Sequence, residues 1–204
     1  MPSTDILIAL FIATAVFAYM PGPAMLYATA QTLTHGRRAG WLAALGIHIG
    51  GYVHVLAATF GLALVFQAVP ALYLALKFAG AVYLIWLGLR MILAQPTTAH
   101  TPAKPPRNTF WQSITVEVLN PKTALFFVAF LPQFTDPEGA LMIWAQLLIL
   151  GTIVNLMFSS ADVVCVLLAD RLATTLKGSA SRLAQRLGGG ILIALGLNIA
   201  FRQA

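Results

Sequence analysis

Apolar residues in this 204-residue chain fall in long uninterrupted blocks, at about 6–29, 42–66, 71–93, 110–134, 140–168 and 183–201. Each block approaches the roughly 20 residues that a helix needs to cross a hydrocarbon core. None alternates with period two, so the pattern predicts helices rather than barrel strands. The sixth block is the weakest: its uncharged part runs only from Leu187 to Phe201, and it spans if Arg186 and Arg202 snorkel outward. The first block has no Lys or Arg in its leader, MPSTD, and stays apolar well past Ala18, so it reads as a span and not as a cleaved signal. The expected fold class is therefore all-α integral membrane, with six transmembrane helices.

Composition agrees with lipid as the solvent. Hydrophobic residues make up 59% and charged residues 9%, and mean hydropathy is +0.85, whereas soluble domains carry about 25% charge. Those figures exclude a disordered chain and a soluble enzyme. The single cysteine, Cys165, excludes an intrachain disulfide, a CxxC pair and a cysteine–zinc cluster. The formal charge of +6 is explained by topology without invoking nucleic acid. Nine of the twelve basic residues (Arg37, Arg38, Arg90, Lys104, Arg107, Arg171, Lys177, Arg182 and Arg186) lie in the odd-numbered loops or at their edges. The fourth loop instead carries Asp136 and Glu138. The positive-inside rule then places odd loops in the cytoplasm and the N-terminus outside. Lys77, near the outer end of the third block, is expected to snorkel.

The segment QPTTAHTPAKPPR, Gln95 to Arg107, holds four prolines and divides the chain near its midpoint. This suggests a first three-helix repeat at 1–94, a cytoplasmic linker at 95–109 and a second repeat at 110–204. Gly80–Leu89 and Gly188–Leu197 match at six of ten positions, and MPGPAML (20–26) is loosely similar to NPKTALF (120–126). Three helices per half makes the second repeat enter from the opposite side, an architecture common among secondary transporters.

Prolines break blocks one and four. Pro21 and Pro23 cannot donate to the carbonyls of Phe17 and Tyr19, and Gly22 between them permits a sharp turn. Pro121 likewise frees the carbonyl of Glu117, with Asn120 placed as N-cap of a new half-helix and Lys122 in its first turn. A Lys or Asp at a helix centre costs about 2.5–3.5 kcal/mol on insertion scales, so Lys122 and Glu117 are expected to face protein. Either they only neutralise each other, or two half-helix N-termini and Lys122 form a pocket for an anion, with Glu117 and the freed carbonyls accepting a cation. A small zwitterion satisfies both ends.

In the second block Gly46, Gly50 and His54 form a small-xxx-small stripe. His54 is expected near mid-membrane, as a packing residue or a proton carrier; His48 lies on another face and is set aside. In the fifth block Asn155, Ser159 and Asp162 share a face, with Asp162 expected toward the cytoplasm as a second proton-coupling candidate. Metal-ligand spacing, HExxH, GxSxG and Walker patterns are absent from the sequence, so the expectation is no enzyme, no cofactor and no metal.

The pieces MPGPAML, HGRRAG (35–40), the GxxxGxxxH stripe (46–54) and NPKTALFFVAFLPQF (120–134) occur in the order and spacing of one family. In them the chain resembles the LysE/RhtB amino-acid exporters, over nearly its whole length. The resemblance implies a six-helix inner-membrane carrier that exports amino acids, driven by the proton gradient. It places the substrate at Pro21, Gly22, Pro23, Asn120, Pro121 and Lys122. Lysine-type members carry an acidic residue in helix two where this chain has Gly50 and Gly51, which favours a neutral substrate of the homoserine, threonine or leucine kind. The expected partners are that substrate, protons and the bilayer; the small-residue faces suit helix packing within one subunit or in a homodimer. Two alternatives differ in kind. A membrane electron conduit needs a cysteine pair that the chain lacks, and a non-transporting scaffold needs no charge in mid-membrane.

Overall fold

A computed structural model describes residues 2–61, 70–93, 108–175 and 180–201. All but the last two residues of the expected linker 95–109 lie outside them, as do Lys104, Arg107 and Lys177. Among the described residues every regular element is helical and no strand occurs. The chain runs α1 (Thr4–Tyr19), α2 (Pro23–His35), α3 (Arg37–Thr59), α4 (Pro70–Leu93), α5 (Thr109–Val118) and α6 (Pro121–Leu125). From α6 it passes through a π-helical turn (Phe126–Phe130) and a 3-10 turn (Leu131–Phe134) into α7 (Ile143–Thr175) and α8 (Ala180–Phe201).

Two helices, Arg37–Thr59 and Ile143–Leu172, are long and apolar enough to cross a membrane unbroken. Two more spans form if each bent pair is taken as one: α1 with α2 at 45°, and α5 with the run Pro121–Phe134 at 41°. Blocks three and six appear as α4 and α8, whose described apolar stretches are the shorter Phe78–Arg90 and Gly189–Phe201.

The second block begins earlier than its hydrophobicity suggests. Gly36 adopts φ +82, a left-handed turn open to glycine, so α3 starts at once with Arg37 and Arg38 in its first turn. Gly61, at φ +79, follows its other end. His48 therefore stands at the centre of α3 and His54 only five residues, about 7.5 Å, from its last residue. Similarly, α7 continues through Asp170 and Arg171 to Thr175, so Asp162 lies within one turn of that helix's middle, on the Thr175 side of it.

Close backbone approach sets the packing. A methyl group added to Gly50 would lie 2.9 Å from Glu117 Cβ and 3.0 Å from the Ile114 carbonyl oxygen, and one on Gly46 2.7 Å from Ser113 Cβ. The glycine stripe of α3 thus seats α5. The α4–α8 contact is reciprocal. A methyl on Gly88 would meet Ile193 Cγ1 at 2.7 Å, and one on Gly196 would meet Ile85 Cγ1 at 2.7 Å. Gly88 faces the Gly189 carbonyl as Gly196 faces that of Ala81, so adding 108 to one helix's numbers converts each contact into the other. Gly88→Ala and Gly196→Ala are accordingly expected to destabilise by the same amount, about 1–3 kcal/mol of overpacking each. Melting of the detergent-purified variants tests this; a loss confined to one of them contradicts the equivalence.

Among the described residues the interior holds two large apolar clusters and a small third one of Ala18, Met25 and Ala161. The first, toward the Arg37 end, includes Tyr27, Ile47, Leu84, Val116, Val166 and Leu192. The second, toward the Asp136 end, is built on Leu10, Val55, Phe126, Phe127, Leu131 and Val154. At that second end the fully buried Gln146 pins the loop before α7. Its Oε1 accepts from Asp136 N at 2.9 Å, and its Nε2 donates to the Asp136 and Leu141 carbonyls at 2.8 and 2.7 Å.

Candidate functional site

The two proline breaks face each other. Pro23 and Pro121 each occupy the opening of a half-helix, preceded by Gly22 and Asn120 as N-caps. The structural counterpart of Pro121 is therefore Pro23, one turn-forming residue beyond the Pro21 that the sequence pairing aligns with it. Proline suits this position because its missing N–H is one that a helix start leaves unused. Asn120 caps its helix through Oδ1, which accepts from Lys122 N at 3.1 Å. No side chain caps α2, so first-turn N–H groups at Ala24 and Met25 keep no intrahelical partner.

Lys122 crosses from one break to the other. Its Nζ donates to the Met20 carbonyl and lies 4.9 Å from the centre of the Phe17 ring. Its stem runs beside Gly22, where a Cβ would come within 2.6 Å of Lys122 Cδ. The Phe17 carbonyl, expected to be free, is re-used by Met20 N at 3.3 Å in a tight final turn. The Glu117 carbonyl released by Pro121 is taken up by His54 Nε2 at 2.8 Å and by Asn120 N at 3.0 Å. His54, also stacked on Phe127, thus braces the broken helix from behind and is not part of the cavity wall.

Glu117 and Lys122 form no direct ion pair among the described residues. Glu117 Oε2 accepts from Asn120 Nδ2 at 3.0 Å, and the same amide donates to Thr123 Oγ1 at 2.9 Å. Asp162 is 5% exposed and has no hydrogen-bond partner among the described residues. It acts electrostatically on both Lys122 and Glu117. One lysine and two buried acids thus share one enclosure without cancelling in a contact pair.

These groups line a cavity of about 30 Å³, space for roughly two waters where one needs about 10–15 Å³ by this measure. Its polar wall comprises Gly22, Glu117, Asn120, Lys122, Asn155, Ser159 and Asp162; Ala18, Met25, Ile47 and Phe158 supply an apolar side. Of the substrate-binding candidates, Gly22, Asn120, Lys122 and Glu117 line it, whereas Pro21, Pro23 and Pro121 shape the backbone around it. Of the two proton-coupling candidates, Asp162 lines it and His54 does not. His48, set aside by the sequence reading, comes to the edge of the site: its Nδ1 is 2.7 Å from Ser159 Oγ, and Asn155 Nδ2 donates to its carbonyl at 3.1 Å. Its central place in α3 would have been the signal, had the start of that helix been known.

Comparison with known proteins follows from here. The sequence profile described as LysE type translocator matches residues 15–203. The chain belongs to the LysE type translocator family. Among its relatives, a leucine efflux protein of Enterobacter sp. (strain 638) is 32% identical over 192 residues, 91% of this chain and 88% of the relative. A leucine efflux protein of Klebsiella pneumoniae is 34% identical over 131 residues, 62% of each chain. A membrane protein of Vibrio cholerae is 33% identical over 150 residues, 71% of each. No solved structure matches. Membership makes this chain a multi-pass membrane translocator, and both halves of the broken-helix site fall inside the matched region.

Proposed function

We propose that this translocator exports neutral amino acids with aliphatic side chains, of the leucine, threonine and homoserine kind, in exchange for protons. One observation carries the reading: uncapped amides of α2 and the Lys122 ammonium confront two buried acids across a cavity that also has an apolar side. A carboxylate suits the electropositive side, an ammonium suits Asp162 and Glu117, and Met25, Ile47 and Phe158 suit an alkyl side chain. A second positive charge on the substrate would lack a third acid, in keeping with Gly50 and Gly51 on α3. The leucine efflux names of two relatives point the same way.

The cavity is too small for any amino acid, so the arrangement corresponds to a closed state, and transport requires opening to each side in turn. We assign that alternation to repeats 1–94 and 110–204, joined by the linker 95–109 and inserted with opposite topology into a bacterial inner membrane, N-terminus outward. The reciprocal Gly88 and Gly196 contacts and the paired breaks at Pro23 and Pro121 support this symmetry. The decisive experiment is uptake of labelled leucine by everted vesicles with an acidic lumen. Accumulation that collapses with a protonophore is expected; accumulation indifferent to it contradicts proton coupling, and none for any neutral amino acid contradicts the function.

A further inference from the structure

The two routes from the cavity to the surfaces differ in chemistry. Toward the Asp136 end stands a phenylalanine cluster, with Phe17–Phe126 centroids 4.8 Å apart, Phe126–Phe158 5.2 Å and Phe126–Phe130 5.0 Å. The one buried side-chain polar atom without a partner along α1 there is Thr14 Oγ1. Toward the Arg37 end the route is polar. Ala24 lines the cavity, and Tyr27, Gln31, Thr34 and His35 continue on the same face of α2 at helical spacing. Tyr27 is fully buried; its hydroxyl donates to Gln112 Oε1 at 3.2 Å and lies beside Gln31 and Ser113. Gln31 is 4% exposed. Gln31 Oε1, Thr34 Oγ1 and His35 Nδ1 are all buried without a hydrogen-bond partner.

Three unpaired polar atoms on one face of a 13-residue helix are costly, and a purely structural helix contact would be served better by leucine. They have a use if this face is wet in another state of the protein. We propose that the Tyr27–Gln31–His35 face of α2 is the access path between the cavity and the Arg37 end, closed here. Gln31, about 12 Å along the helix from Pro23, is its hydrogen-bonding station for the polar end groups of the substrate. The inference rests on the exporter reading for the identity of that substrate, but not for the existence of the path.

Gln31→Cys in a Cys165→Ser background tests it, with a membrane-impermeant cationic methanethiosulfonate as probe and Leu192→Cys, at 0% exposure, as the buried control. Modification of Gln31→Cys is expected to be at least about tenfold faster than the control, since only an opening path admits the reagent. It should occur only when the reagent bathes the Arg37 side, and saturating leucine should slow it. A rate no faster than the control, or labelling only from the opposite side, overturns the path; labelling that leucine leaves unchanged overturns the station. Gln31→Leu provides a second readout. It is expected to melt no lower than the wild type while export falls about tenfold, because a buried amide oxygen without a partner is replaced by a packed alkyl group. Parallel losses of stability and export would make Gln31 merely structural. If the wild type moves no amino acid while Gln31→Cys still reacts as described, the exporter reading falls and the path remains.

Discussion

Lys122→Met is expected to lower leucine accumulation in everted vesicles by about thirtyfold or more, while the protein still purifies as a folded species. With a substrate carboxylate bound, truncating its charged partner costs about 2–5 kcal/mol, and each 1.4 kcal/mol is a factor of ten. In this site the loss is concentrated on function. Lys122 is held by one hydrogen bond to the Met20 carbonyl and by the Phe17 ring, and Met keeps the apolar stem against that ring. What disappears is the only full positive charge among the described residues of the cavity wall. Gly22→Ala should reproduce part of this effect without touching the charge, because its methyl would lie 2.6 Å from Lys122 Cδ and displace the flexible stem. A Lys122→Met variant that accumulates leucine at the wild-type level would end this assignment.

Asp162→Asn is expected to separate transport from its driving force. Vesicles carrying this variant should still exchange labelled for unlabelled leucine but should not concentrate it when the lumen is acidified, a loss of about tenfold or more in gradient-driven accumulation. The reasoning is that a coupling group must gain and release its proton without rebuilding its surroundings. Asp162 meets that condition, having no hydrogen-bond partner among the described residues while facing the cavity. Glu117 is tied to Asn120, whose amide also holds Thr123. Glu117→Gln is therefore expected to disturb substrate affinity and the half-helix start more than coupling. Gradient-driven accumulation undiminished in Asp162→Asn would move the coupling role elsewhere, with His48, 2.7 Å from Ser159, as the neighbouring titratable group.

Helical class and the two interruptions were legible in the sequence because each rests on a local cause. Continuous apolar runs need internal hydrogen bonding in lipid, and proline lacks a donor wherever it stands. Asn120 as a cap and the glycine stripe on α3 could be read for the same reason. Helix ends were less legible. Arginines at the start of α3 and Asp170 with Arg171 within α7 look like loop residues by hydropathy, yet they continue their helices, and the shifted start of α3 hid His48. Gln146 went unnoticed because a lone glutamine in an apolar run has no periodicity to betray it, and Gln31 because it lies past the end of the first apolar block, among threonines.

From the order of its residues alone, this chain was committed to lipid as its solvent, to broken helices at Pro23 and Pro121, and to a lysine beside one break. Those outcomes depend on composition and on neighbours a few positions away. Which breaks would meet, which carbonyl Lys122 would reach and whether Glu117 would be paired or held by an amide were decided by contacts between residues as many as 102 positions apart, as Met20 and Lys122 are. Side-chain chemistry supplied the charges; only the packing of α3 and α7 against the two breaks brought them around one cavity, because electrostatic and hydrogen-bonding forces act over ångströms in space and not over distance along the chain.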